Sequence, residues 1–89
     1  MNTILRKQID YTVVCVNEFA NRFNLTKKQA FNYMYNFKGI EFIKANYDIE
    51  HTLSLDNAVE DIATICRNNG GKISWYYIMA QTKAGTVNE

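Results

Sequence analysis

Asn24-Leu-Thr-Lys-Lys-Gln-Ala-Phe-Asn-Tyr-Met-Tyr-Asn-Phe-Lys-Gly39 carries the clearest local instructions in this chain of 89 residues. Thr26, followed three residues later by Gln29, predicts a capping box. The threonine oxygen accepts from the backbone N–H of Gln29, and the glutamine side chain returns to the N–H of Thr26. Leu25, one residue before the cap, is placed to staple onto Ala30. Gly39 stands where a left-handed residue would close the helix. Between these ends Ala30, Met34 and Phe37 form one apolar line, and Phe31 with Tyr35 a second beside it. A stripe this wide and aromatic predicts the central packing element of a small helical domain.

Working outward towards the amino terminus, Leu5, Ile9, Thr12, Val13, Val16, Phe19, Ala20 and Phe23 recur at spacings of three and four. They predict a first helix over residues 3–23 with all of these on its inner face. Tyr11-Thr-Val-Val-Cys-Val16 has high β propensity, but the helical period runs on through it without a turn residue. Asn24 is a plausible stop. Beyond Gly39, Ile40, Ile43 and Tyr47, flanked by Phe42 and Ile49, predict a third helix of about ten residues. Glu41 near its start suits the helix dipole. Asp48-Ile-Glu-His-Thr-Leu53 breaks the pattern and reads as a loop. Ser54 then caps a fourth helix with Asp56 in its first turn, and Leu55, Val59, Ile62 and Cys66 line its inner face. Asn68-Asn-Gly-Gly71 ends it.

The expected architecture is therefore all-α: a compact bundle of four helices over residues 1–71, followed by an aromatic extension and polar tail over residues 72–89. Ile73-Ser-Trp-Tyr-Tyr-Ile-Met79 fits a strand by alternation or a short helix by grouping Trp75, Ile78 and Met79. It either seals its own core or serves as an arm that docks on a partner. In the second case Ile73, Trp75, Tyr76, Tyr77 and Met79 are the candidate partner-binding residues, because tryptophan and tyrosine are the usual anchors of such contacts.

Composition narrows the class. An apolar fraction of 47% with 13% aromatics is that of a globular chain. One domain of this size buries only about 60% of the surface its unfolded chain exposes, so association with a partner or with itself matters to its stability. No apolar run approaches the roughly 20 residues of a membrane span, and Arg6, Lys7, Gln8 and Asp10 interrupt any signal-peptide core. Cys15 and Cys66 lie far apart in apolar helical patterns, as buried free thiols in a reducing cytoplasm would. The net charge of +1 hides an asymmetry. Residues 1–44 hold seven bases against three acids, and residues 45–69 hold five acids against Arg67. Such halves are either solvated faces or an interface for a charged partner or a second copy.

Catalytic chemistry is sparse. His51, the single histidine, could be oriented by Asp48 and Glu50 as a general base, which makes Glu50, His51 and Thr52 a candidate loop site. Ordinary hydrogen bonding or solvent exposure is the preferred reading of this histidine. No phosphate-cradling loop, paired-cysteine zinc motif or second histidine accompanies it. The chain reads as a protein without enzymatic activity, cofactor or metal. The second and third helices around a glycine turn superficially resemble a helix-turn-helix. Lys27, Lys28, Lys38 and Lys44 would contact phosphates and Asn46 a base. Glu41 and Asp48 on the reading helix oppose that role.

Asp10-Tyr11, Asn17-Glu-Phe-Ala20, Leu25-Thr26 with Gln29-Ala30, Phe37-Lys-Gly-Ile40, Glu50-His-Thr-Leu-Ser54, Asp56 with Ala58, Ile65-Cys66 and Asn69-Gly-Gly71 together resemble a small bacterial family catalogued as domain of unknown function 3791. The likeness covers residues 8–71, and Glu-His-Thr-Leu-Ser is a fairly specific string within it. It implies a compact cytoplasmic protein encoded beside proteins of ADP-ribosyltransferase-like fold. That neighbourhood implies an antitoxin-like role, in which the small helical member binds and neutralises the other. The family has no established activity, so no catalytic residue carries over. The alternatives are a helix-turn-helix-like DNA-binding regulator and a homo-oligomeric structural protein.

Overall fold

The computed structural model describes residues 2–72. The expected aromatic extension over Ile73–Met79, and the polar tail after it, lie outside the described residues. Within them the chain is all-helical, with five helices: α1 (Thr3–Phe23), α2 (Lys27–Asn36), α3 (Gly39–Ala45), α4 (Tyr47–Glu50) and α5 (Leu55–Asn68).

Capping chemistry sets most of these boundaries. Asn2 accepts from the N–H of Leu5 at 2.8 Å to start α1, and Asn24 ends it in the left-handed conformation at φ 58°. The reciprocal box of Thr26 and Gln29 forms at 3.0 and 2.9 Å. Ser54 accepts from the N–H of Asn57 at 3.1 Å to start α5. At its far end Gly71 N–H donates to the Cys66 carbonyl at 2.8 Å. Gly70 there takes φ 100°, a conformation glycine reaches without a Cβ penalty.

Two boundaries differ from expectation. Gly39 does not close α2. Lys38 is the left-handed residue, at φ 74°, and Gly39 is the buried first residue of α3. Glycine is required there for space, because a Cβ would lie 2.9 Å from Cys66 Sγ and 3.2 Å from both Ile62 and Met34. The expected ten-residue third helix is also two elements. Asn46, at φ −120°, ends α3, and its side-chain amide donates to the Phe42 carbonyl at 3.0 Å. A single turn, α4, follows where a loop was expected to begin.

The core forms where α1, α2, α3 and α5 meet. Phe19, Met34, Ile43, Val59, Ile62, Cys15 and Cys66 are its fully buried side chains. Tyr33, absent from the apolar lines read in the sequence, is buried among Phe19 and Phe37 at ring distances of 5.7 and 5.0 Å. Its hydroxyl occupies the space a Cβ on Gly71 would need. Phe31 and Tyr35, expected to be covered, are instead exposed and stacked on one another at 6.0 Å. The inner face of α1 is buried only from Cys15 onwards; Leu5, Ile9 and Val13 are exposed. The reason is length. Twenty-one residues make a rod of about 31 Å, while the ten of α2 reach about half as far.

The charge asymmetry is used partly inside the fold. Arg22 of α1, which is largely shielded, reaches Glu60 at 2.9 Å and Asp56 at 3.3 Å on α5. One cation from the basic half therefore fastens the acidic helix to α1.

The packing at Gly39 yields a test. Gly39→Ala is expected to lower stability by about 1–3 kcal/mol through overpacking, read as a lower thermal midpoint by circular dichroism. Adding Cys66→Ala, which removes the nearest obstructing atom, should recover part of that loss. A Gly39→Ala variant as stable as the parent would contradict the close approach.

Candidate functional site

Two regions gather residues with binding or chemical potential. The first is a polar cluster where α1, α4 and α5 meet. The half-buried Tyr11 donates its hydroxyl to the Glu50 carbonyl at 3.0 Å. Its ring stands edge-on to Tyr47 at 5.6 Å, and Tyr47 stacks on His51 at 4.4 Å with only 9° between the planes. A single helical turn brings Tyr47, Glu50 and His51 together, since residues three and four apart share a face. His51 Nδ1 lies 2.7 Å from the Tyr47 carbonyl, so that nitrogen carries the proton and donates. Thr52 donates to the Ile49 carbonyl at 2.7 Å.

Glu50 turns inward and is only 5% exposed. Its Oε1 has no hydrogen-bond partner, while the carboxyl also faces Asp61 of α5. Burial first, and then the hydrogen bond and charge of Asp61, push its pKa up to about 7. Burial pushes the Cys15 thiol up to about 11 against the lowering effect of Tyr11. It pushes Cys66 up to about 11 as well, against the Gly39 N–H and Arg67. The Tyr11 phenol is also raised, by burial and then by Cys15. Both thiols are free and fully buried, hence protonated and unreactive at neutral pH.

The expected loop site thus comes apart. Glu50 faces Asp61, His51 is held by Tyr47, and Thr52 bonds its own backbone, so the three do not converge on a common point. Glu50 joins α4 to α1 through its carbonyl and faces α5 through its carboxyl. Among the described residues, no group of three His, Cys, Asp or Glu side chains could hold a metal ion.

Of the expected phosphate contacts, Lys27 and Lys28 are exposed at the start of α2, Lys38 is exposed in the turn, and Lys44 is exposed near the end of α3. Asn46, expected to read a base, spends its amide on the Phe42 carbonyl. Ile73, Trp75, Tyr76, Tyr77 and Met79, the expected partner-binding residues, lie outside the described residues.

The second region was not foreseen. Leu5, Gln8, Ile9, Thr12 and Val13 of α1 form one wall of a groove of about 330 Å³, with Phe31 of α2 and Ile40 and Lys44 of α3 across from them. Val13 is 53% exposed and Phe31 43%, so these are open apolar surfaces rather than core. Tyr35 extends the patch from Phe31. The volume is at the lower end of the roughly 300–1,000 Å³ of small-molecule sites, and few polar groups are present to orient a small molecule. A wider hollow of about 510 Å³ is lined, among the described residues, by Asn2, Thr3, Ile4, Leu5 and Gln8 of α1 and its cap. No helix among the described residues is long and apolar enough to cross a membrane.

Residues 10–69 match the family described as protein of unknown function DUF3791. The chain belongs to that family. Two strings that carried the resemblance, Asp10-Tyr11 and Glu50-His-Thr-Leu-Ser54, meet in the polar cluster through the Tyr11–Glu50 hydrogen bond. No curated protein and no solved structure matches the chain.

Two measurements test the cluster. The pKa of Glu50 in the folded chain, about 7, lies above its ordinary 4.5. The folded state therefore holds this proton more tightly than the unfolded one. Its contribution to stability is full below pH 4.5 and is lost as pH rises through about 7. Glu50→Gln, which stays neutral, should make the chain more stable than the parent at pH 8 by about 1–3 kcal/mol and flatten its stability between pH 5 and 8. Separately, an aromatic disulfide reagent at pH 8 should titrate neither thiol in the folded chain and both in denaturant.

Proposed function

We propose that this protein is a non-catalytic interaction module of antitoxin type. Its partner is a protein of ADP-ribosyltransferase-like fold, which it binds and neutralises in the cytoplasm. The observation that carries this reading is the open apolar groove between α1 and the α2–α3 corner. Leu5, Ile9, Val13, Phe31 and Ile40 present there a surface that a small domain gains by burying. The partner class comes from the family resemblance and its genomic neighbourhood. Two further points support a binding role over a catalytic one: His51 is held by Tyr47 within α4 while Glu50 faces Asp61 of α5, and both thiols are sealed. Buried free thiols also fit a reducing compartment. The aromatic residues Ile73, Trp75, Tyr76, Tyr77 and Met79 are proposed as the second part of the interface.

Co-expression with the product of the adjacent reading frame, followed by purification through a tag on this chain, tests the proposal. The neighbour should co-purify in a fixed ratio and lose its toxicity. Val13→Asp, at an exposed position, should weaken that association at least tenfold while leaving the helical circular dichroism unchanged. A neighbour that neither co-purifies nor harms the cell with or without this chain would overturn the reading. DNA binding that falls steeply with salt and with neutralisation of Lys27 and Lys28 would replace it with the regulator.

A further inference from the structure

α4 is a single turn, and Glu50 is its one buried residue. Tyr47 is half-buried, while Asp48 and Ile49, and His51, Thr52 and Leu53 after them, are exposed. The core draws on α1, α2, α3 and α5, and the hydrophobic side chains packed against it include none between residues 47 and 54. Three contacts hold the turn instead. The Tyr11 hydroxyl donates to the Glu50 carbonyl at 3.0 Å, the Tyr11 and Tyr47 rings meet edge-on at 5.6 Å, and the Glu50 carboxyl is hydrogen-bonded to that of Asp61. Two carboxyl groups bond in this way only while one carries a proton, because an ionised carboxylate accepts and cannot donate.

The surroundings offer nothing to replace that proton. α1 turns Tyr11 and Cys15 towards Glu50, α5 turns Asp61, and its own segment holds Tyr47, Asp48 and His51. α3, which also packs against α4, carries Glu41 and Lys44, both exposed. Arg22, the cation between α1 and α5, is engaged by Asp56 and Glu60. Oε1 of Glu50 has no partner. Ionisation therefore sets two like charges side by side and leaves one of them buried.

We propose that α4 is a proton-operated latch, docked on α1 and α5 while Glu50 and Asp61 share a proton and opening as a unit when that proton is lost, with the other four helices still packed. The segment is free to turn at its ends, since Asn46 at φ −120° already departs from helical values and Ser54 is extended at ψ 155°. Burial, and then Asp61, raise the Glu50 pKa from 4.5 to about 7 in the docked form. The open form thus gains about tenfold per pH unit between those values and levels off above them. No residue lining the groove belongs to α4, so the latch and the partner reading stand or fall separately.

Amide hydrogen exchange, followed by nuclear magnetic resonance on the full chain from pH 5 to pH 8, tests the latch. Each rate, divided by that of an unstructured peptide at the same pH, gives an opening constant. The Glu50 and His51 amides, bonded to the Asn46 and Tyr47 carbonyls, report on α4. Those of Ile62 and Ala63 report on the core of α5. The α4 amides should open more readily than the α5 amides at every pH. Their opening constant should rise about tenfold or more from pH 5 to pH 7 and then level, and Glu50→Gln should hold it at the low-pH value. Should that variant fail to fold, Asp61→Asn answers the same question: the rise should shrink, because burial alone then lifts the Glu50 pKa. Amides of α4 and α5 that open together report unfolding of the whole domain and overturn the inference. So does an α4 opening constant that stays level with pH, or a rise that Glu50→Gln retains.

Discussion

Everything in this fold turns on how closely α3 can approach α5. With no side chain on Gly39, the first turn of α3 sits against Cys66 and Ile62 while also touching Met34 of α2. That contact sets the rotation of α3. Ile43, four residues on, drops into the core, and the neighbouring line of Ile40 and Lys44 is turned towards α1. The groove is thus a by-product of seating α3. The same seating carries the chain through Asn46 into α4, where Glu50 can accept from Tyr11. A bulkier residue at position 39 would push on the core, the groove wall and the polar cluster together.

The parts of the fold that local chemistry dictates were legible in the sequence. The capping box at Thr26 and Gln29, the stop at Asn24, the cap at Ser54 and the ending at Gly70-Gly71 each rest on one or two hydrogen bonds within a turn. Readings that depended on tertiary packing fared differently. Gly39 was taken for a conformational glycine, but its reason lies on α5, 27 positions away at Cys66. Lys38 took the left-handed position, a cost of about 1–2 kcal/mol that no local signal announces. The apolar period of α1 was read correctly, yet periodicity cannot say how far along the helix a neighbour reaches. Leu5, Ile9 and Val13 look like core in sequence and form an open wall in space. The groove could have been foreseen from one comparison: a helix of 21 residues cannot be covered by a neighbour of ten.

The distribution of chemistry follows from the same geometry. Two protonated thiols, a tyrosine held on a carbonyl and a carboxyl that shares its surroundings with a second acid are drawn inward, while His51 stays exposed against Tyr47. Exposed among the described residues are apolar side chains of α1 and α2, the lysines, and acids that include Glu41, Asp48 and Glu60. The polar cluster joins α4 to α1 through the Tyr11–Glu50 hydrogen bond and faces α5 through Asp61.

The single turn α4 also constrains how the chain can vary in length. Tyr47, Glu50 and His51 act together only because three and four residues separate them, and each residue added or removed turns the helix face by about 100°. An insertion before Tyr47 could be absorbed at Asn46, where the backbone already departs from helical values. One between Tyr47 and His51 would swing the Glu50 carbonyl away from Tyr11 or unstack the two rings. Length changes in chains of this fold should therefore collect at Asn46 and between Thr52 and Ser54, and spare the five residues between them.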